Sequence, residues 1–153
     1  NGSLVAMHVR RNDFASTGGH GSLSSDYYLE ALKLLVKNNP EISKALVFSD
    51  EPERVQREFS KLTFPISLKF INQPQPGSDL ESLVLLSKFK FLIIANSTFS
   101  WWAASTGVLP KAVVAPRTWR ATDVEKSTLI QPNWLVLESH WLASDDYDTR
   151  QSG

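Results

Sequence analysis

The sequence predicts an α/β fold, a Rossmann-like parallel sheet with helices on both faces. Two observations carry this. Short, almost unbroken apolar runs alternate with helical patterns from one end of the chain to the other, as strands buried on both faces require. The most distinctive polar residues stand just after those runs end, where open α/β sheets hold their ligands.

The elements follow in order. Leu4-Val5-Ala6-Met7 leads a first strand over residues 4–9. Ser25 is placed to cap a helix that runs through Tyr27-Tyr28 and is stopped by Asn38, Asn39 and Pro40. Ala45-Leu46-Val47-Phe48 forms strand two, and a helix after Ser49-Asp50 carries Pro52 in its first turn with Val55 and Phe59 at helical spacing. Leu68-Lys69-Phe70-Ile71 is the third strand. Ser78-Asp79-Leu80-Glu81 has the form of a capping box, opening a helix through Leu83, Val84 and Ser87. Residues 91–95 make strand four, residues 99–105 a short helix, residues 112–115 strand five and residues 134–137 strand six. The expected organisation is one Rossmann-like domain over residues 1–137 and a polar tail over residues 138–153.

Composition removes several classes of function. With 153 residues and 42% hydrophobic content the chain can bury a core without staples. Sixteen basic residues balance sixteen acidic ones, so no broad field draws nucleic acid or a membrane surface, and anion binding must be local. The absence of Cys removes thiol chemistry and cysteine-ligated zinc. No apolar stretch reaches the roughly twenty residues of a membrane span, and no secretory signal pattern opens the chain. It starts almost directly on a strand without Met, which suggests a piece of a longer protein, and a cytoplasmic bacterial setting is expected. Asp146-Tyr147-Asp148 lies in the polar tail with no strand before it, so no metal is expected to enter.

Three strand ends carry chemistry: His8-Val9-Arg10-Arg11-Asn12-Asp13, Ser49-Asp50-Glu51, and Asn96-Ser97-Thr98-Phe99-Ser100. Alternation along the first strand puts His8 and Arg10 on one face and leaves Arg11 where the chain turns out of the sheet. A guanidinium stays charged and grips two phosphate oxygens, so it can neutralise a diphosphate without metal. The other reading is that both arginines pair with Asp13 and Asp50 at a solvated edge. A strand that ends in Asn-Ser-Thr and enters a helix presents N–H groups and hydroxyls suited to an anion, although one such Ser can simply be an N-cap. Trp101 and Trp102 are expected to pack the short helix on the sheet, the other reading being that one of them stacks on a sugar or base.

Taken in order, His-x-Arg-Arg-x-Asp with the following Tyr27-Tyr28 helix, Phe48-Ser49-Asp50, the run from Ile94 through Trp102, Ala115-Pro116-Arg117-x-Trp119, and Leu129-Ile130 before Pro132-Asn133-Trp134 resemble the α-1,2-fucosyltransferases, glycosyltransferase family eleven. The resemblance covers residues 5–137. It implies the donor-binding half of a GT-B enzyme, with GDP-fucose as donor substrate, the 2-hydroxyl of a terminal galactoside as acceptor, inversion at the anomeric carbon, no cofactor, and an acceptor-side domain missing from this chain. Some homologues are membrane-associated, but this chain does not require a membrane.

The resemblance also implies roles. Arg11 and Arg10 would bind the diphosphate, with Asp13 bracing their loop. His8 would lie near the guanosine, and Asn96, Ser97, Thr98 and Ser100 would complete the donor site. Asn12 stands where the family usually has Gly, Phe14 where it has Tyr, and Ala103 where it has Gly. Ser82 stands where an acidic residue is usual, which opens the alternative of a catalytically inactive sugar-nucleotide-binding module. Asp13, His20 and Asp26 are the candidate bases for the acceptor hydroxyl, and the glycines around His20 suit a flap.

Overall fold

A computed structural model describes residues 2–11, 21–71, 79–107 and 111–142. Its elements are β1 (Ser3–Val9), α1 (Ser25–Asn38), β2 (Ile42–Ser49), α2 (Pro52–Phe59), β3 (Ser67–Ile71), α3 (Asp79–Ser87), β4 (Phe91–Ile93), α4 (Thr98–Ser105), β5 (Ala112–Pro116) and β6 (Leu135–Leu137). The six strands pair in the order β3-β2-β1-β4-β5-β6, and every pairing is parallel. This is the doubly wound order in which the direction of winding reverses between β1 and β4, opening a crevice beyond their carboxyl ends.

Alternation along β1 divides the core. Val5, Met7 and Val9 pack with Tyr27, Tyr28, Ala31, Leu32 and Leu35 of α1 and with Val55 and Phe59 of α2. Ala6 faces the other way, into a cluster with Leu86 of α3, Ala103 and Ala104 of α4, and Leu92 of β4. Each fully buried aliphatic side chain of these layers contributes roughly 1.5–3 kcal/mol relative to exposure.

Local chemistry sets the boundaries. The cap of α1 is Ser24, one residue before the expected Ser25, and its side chain makes no capping bond. At the other end Asn39 returns both its N–H and its side-chain amide to the Leu35 carbonyl, and Pro40 prevents another turn. β2 begins three residues earlier than its apolar run, because pairing with β1 extends back to Ser3 and Ile42 across an irregularity in register. β4 is shorter than the run 91–95: Ile94 still donates its N–H to Val114, but its carbonyl is taken by the Tyr27 hydroxyl. Ser78 of the proposed capping box lies outside the described residues.

The segment after β6 does not leave the domain at once. Ser24 donates to the His140 carbonyl at 2.7 Å, Leu142 donates to Ser22 at 2.8 Å, and Leu23 bridges Trp141. The start of the expected tail is therefore laced to the entrance of α1. Among the described residues no helix is long and apolar enough to cross a membrane.

Candidate functional site

β1 and β4 are neighbours, so the polar segments that follow them meet above one edge of the sheet. Contact is direct: His8 Nδ1 and Ser100 Oγ are hydrogen-bonded across 92 residues of sequence. Ser100 Oγ also accepts the Ala95 N–H at 3.3 Å, and the imidazole leans on the Phe99 ring with centroids 5.1 Å apart. Burial pushes the His8 pKa down to about 4; Asp50 opposes the shift and Arg10 reinforces it. The ring is neutral at pH 7 and acts as a fixed hydrogen-bonding group.

The second segment is built as a helix start. Ser97 is the cap of α4, and its hydroxyl accepts the Ser100 N–H at 3.1 Å. Thr98 is exposed in the first turn, and the N–H groups of Thr98 and Phe99 fall in the turn that has no intrahelical acceptors. Dipole and donors there favour an anion. Asn96 also joins neighbouring loops to this strand end. It is almost fully buried, and its amide donates to the Gly21 carbonyl at 3.2 Å and the Trp119 carbonyl at 3.0 Å, stapling two loops to the end of β4.

The two arginines part company. Arg11 is entirely buried. Its N–H donates to Asp50 Oδ1 at 2.9 Å, Nε and Nη2 each lie 2.9 Å from Glu58 Oε2, and Nη1 donates to the Leu23 carbonyl at 2.7 Å. The parity of β1 explains the direction: with Val5, Met7 and Val9 it belongs to the side covered by α1 and α2. Arg10 shares the parity of His8 and is half-buried at the rim. Thus the structure joins His8 to Ser100 and Ser97 at the start of α4, leaves Arg10 close enough to His8 to lower its pKa, and turns the Arg11 guanidinium toward α2. Asp13 and His20 lie outside the described residues. Asp26 is exposed in the first turn of α1.

Sequence reasoning overlooked several supports of this rim. Tyr28 donates its hydroxyl to the His8 carbonyl at 2.9 Å, and Tyr27 donates to the Ile94 carbonyl at 2.8 Å. One turn of α1 thus clamps the ends of both functional strands. Burial raises the pKa of each phenol, so both remain donors throughout the working range. Glu58 gave no signal, because only folding brings it to Arg11. Of the tryptophans, Trp101 is half-buried and donates its Nε1 to the Leu129 carbonyl at 2.7 Å, whereas Trp102 is 54% exposed and does not pack on the sheet as expected.

A groove of about 1230 Å³ lies to one side, between the start of α1, α2 and residues 139–142. Of its cations, Arg54 is held by Glu51 and Glu58, Arg57 is exposed on the surface of α2, and Lys61 is exposed in the turn after it. The rim is the stronger candidate for an anion, because there the arginine-bearing end of β1 lies beside the strand that leads into the α4 helix start.

Residues 1–138 match Glycosyl transferase family 11. The chain belongs to that family. It is 32% identical over 142 residues to the O-antigen biosynthesis glycosyltransferase WbnK of Escherichia coli, covering 90% of this chain and 45% of that protein. It is also 31% identical over 105 residues to an Escherichia coli alpha-1,2-colitosyltransferase, covering 65% of this chain and 35% of the relative. The chain therefore spans less than half the length of either. The chain has the Rossmann-like α/β arrangement, and a GT-B assignment is consistent with membership of family 11.

Proposed function

We propose that this family 11 chain is the donor-binding part of an inverting glycosyltransferase that moves L-fucose from GDP-fucose to the 2-hydroxyl of a terminal galactoside. The observation that supports it best is the His8–Ser100 hydrogen bond, which fixes the arginine turn of β1 against the start of α4. A diphosphate placed between them would meet the Arg10 guanidinium on one side and the first-turn N–H groups of α4 on the other. As the bond from sugar to phosphate breaks, negative charge grows on the departing diphosphate, and donors already fixed in place stabilise that state more than the ground state. The acceptor oxygen attacks from the opposite face, giving inversion, and its proton passes to a base or to the departing phosphate. Completion of the acceptor side falls to a further domain.

The relative named for colitose transfer supports a second donor, since colitose is fucose without its 3-hydroxyl. Calorimetric titration of the chain with GDP, with ADP as control, tests the nucleotide reading. GDP is expected to bind more tightly than ADP, with no effect of chelator, and equal affinities would overturn the guanosine assignment. Competition between GDP-fucose and GDP-colitose then decides the sugar.

A further inference from the structure

Resting on that reading of the rim, we infer that the adjacent arginines divide the work: Arg10 meets the diphosphate, while Glu58 of α2 is a positioning residue that acts on Arg10 by locking Arg11 beneath it. The contacts of Arg11 with Asp50, Glu58, Leu23 and the Arg10 carbonyl point inward. Its N–H is held by Asp50, one carboxylate oxygen of Glu58 receives Nε and faces Nη2, and Nη1 reaches both the Leu23 and the Arg10 carbonyls, at 2.7 and 3.2 Å. The last contact is the informative one. A guanidinium that grips the carbonyl of the preceding residue fixes the peptide from which the Arg10 side chain departs.

Glu58 is in turn held in place. Its other oxygen accepts Arg54 Nε at 2.9 Å, and Arg54 Nη1 lies 3.5 Å from Glu51. Carboxylate and guanidinium thus form a chain from the solvent side of α2 to the turn after β1. A buried guanidinium cannot leave its carboxylate cheaply, because separating them strands a charge in a low-dielectric setting. Arg11 therefore stays under the rim when a ligand arrives, and the parity of β1 leaves Arg10 on the face of His8 and α4. Holding a charge-bearing side chain to a fraction of an ångström is where such support tells on affinity and rate.

The sign of one substitution separates this from direct binding by Arg11. Glu58→Gln keeps the shape and weakens the anchor. The division of labour predicts that GDP affinity, measured by calorimetry on the 153-residue chain, falls by about tenfold. It further predicts that the loss disappears in an Arg10→Ala background, since Glu58 then has nothing to position. If Arg11 is itself a phosphate ligand, releasing it from Glu58 leaves GDP affinity unchanged or raises it. That result, or a loss that adds in full to that of Arg10→Ala, would overturn the inference, as would a lowered melting temperature with GDP affinity intact. Should Glu58→Gln fold too poorly to titrate, Glu58→Asp, which retains the charge on a shorter arm, is read by the same criteria. Failure of the unaltered chain to bind GDP sinks the reading of the rim and this inference with it. Normal binding that ignores Glu58 sinks the inference alone.

Discussion

Acid should weaken this fold through one ring. In the unfolded chain His8 takes up a proton near pH 6.5, but in the folded chain burial holds its pKa at about 4. Between those values the unfolded state binds more protons, so the stability contributed by neutral His8 is fully present above 6.5 and is lost as the pH falls toward 4. Linkage gives a loss of about 2 kcal/mol at pH 5 relative to pH 8, approaching roughly 3 kcal/mol at the lower end. Other groups titrate in the same range, so the informative quantity is a difference. His8→Asn places an amide near the position of Nδ1, where it can still meet Ser100 Oγ, and it does not titrate. Urea unfolding of both proteins at several values from pH 8 to pH 4.5 should show the stability of the wild type falling relative to that of the variant by about 2 kcal/mol between pH 6.5 and pH 5, with a constant difference above pH 6.5. Parallel profiles would refute the claim that this imidazole is held neutral by its surroundings.

Other substitutions probe the supports. Tyr28→Phe leaves the buried His8 carbonyl without its phenol donor and should cost about 1–3 kcal/mol in urea unfolding; an unchanged midpoint would show that the clamp is dispensable. Gly107→Ala combines a left-handed backbone, φ 76°, with a methyl group only 2.2 Å from the Ser87 carbonyl oxygen, so it should lower stability by at least 1 kcal/mol, read as a fall in melting temperature.

Much of the fold was legible because parallel strands buried on both faces write themselves as apolar runs, and Asn39-Pro40 and Pro52 mark helix ends by local chemistry. Boundaries failed where tertiary pairing overrode composition: exposed Ser43 and Lys44 joined β2 because β1 lay alongside, and Ala95 left β4 because Tyr27 took the preceding carbonyl. The meeting of His8 with the α4 segment was also legible, since both follow strands that a doubly wound sheet places side by side. The separate fates of Arg10 and Arg11 were only half legible. Parity places them on opposite faces, but the carboxylate that claims Arg11 stands 47 residues away on a helix whose own pattern shows only its pairing with Arg54. The loop role of Asn96 was hidden for a related reason: the carbonyls of Gly21 and Trp119 that its amide meets are brought to it only by folding.

The most direct test is a crystal structure of the chain with GDP bound. The rim reading predicts the diphosphate seated over the β1–β4 switch, with its oxygens within hydrogen-bonding distance of the Arg10 guanidinium and of the Thr98 and Phe99 N–H groups, while Arg11 still faces Glu58. A diphosphate lying instead in the groove beside Arg54, Arg57 and Lys61 would contradict it.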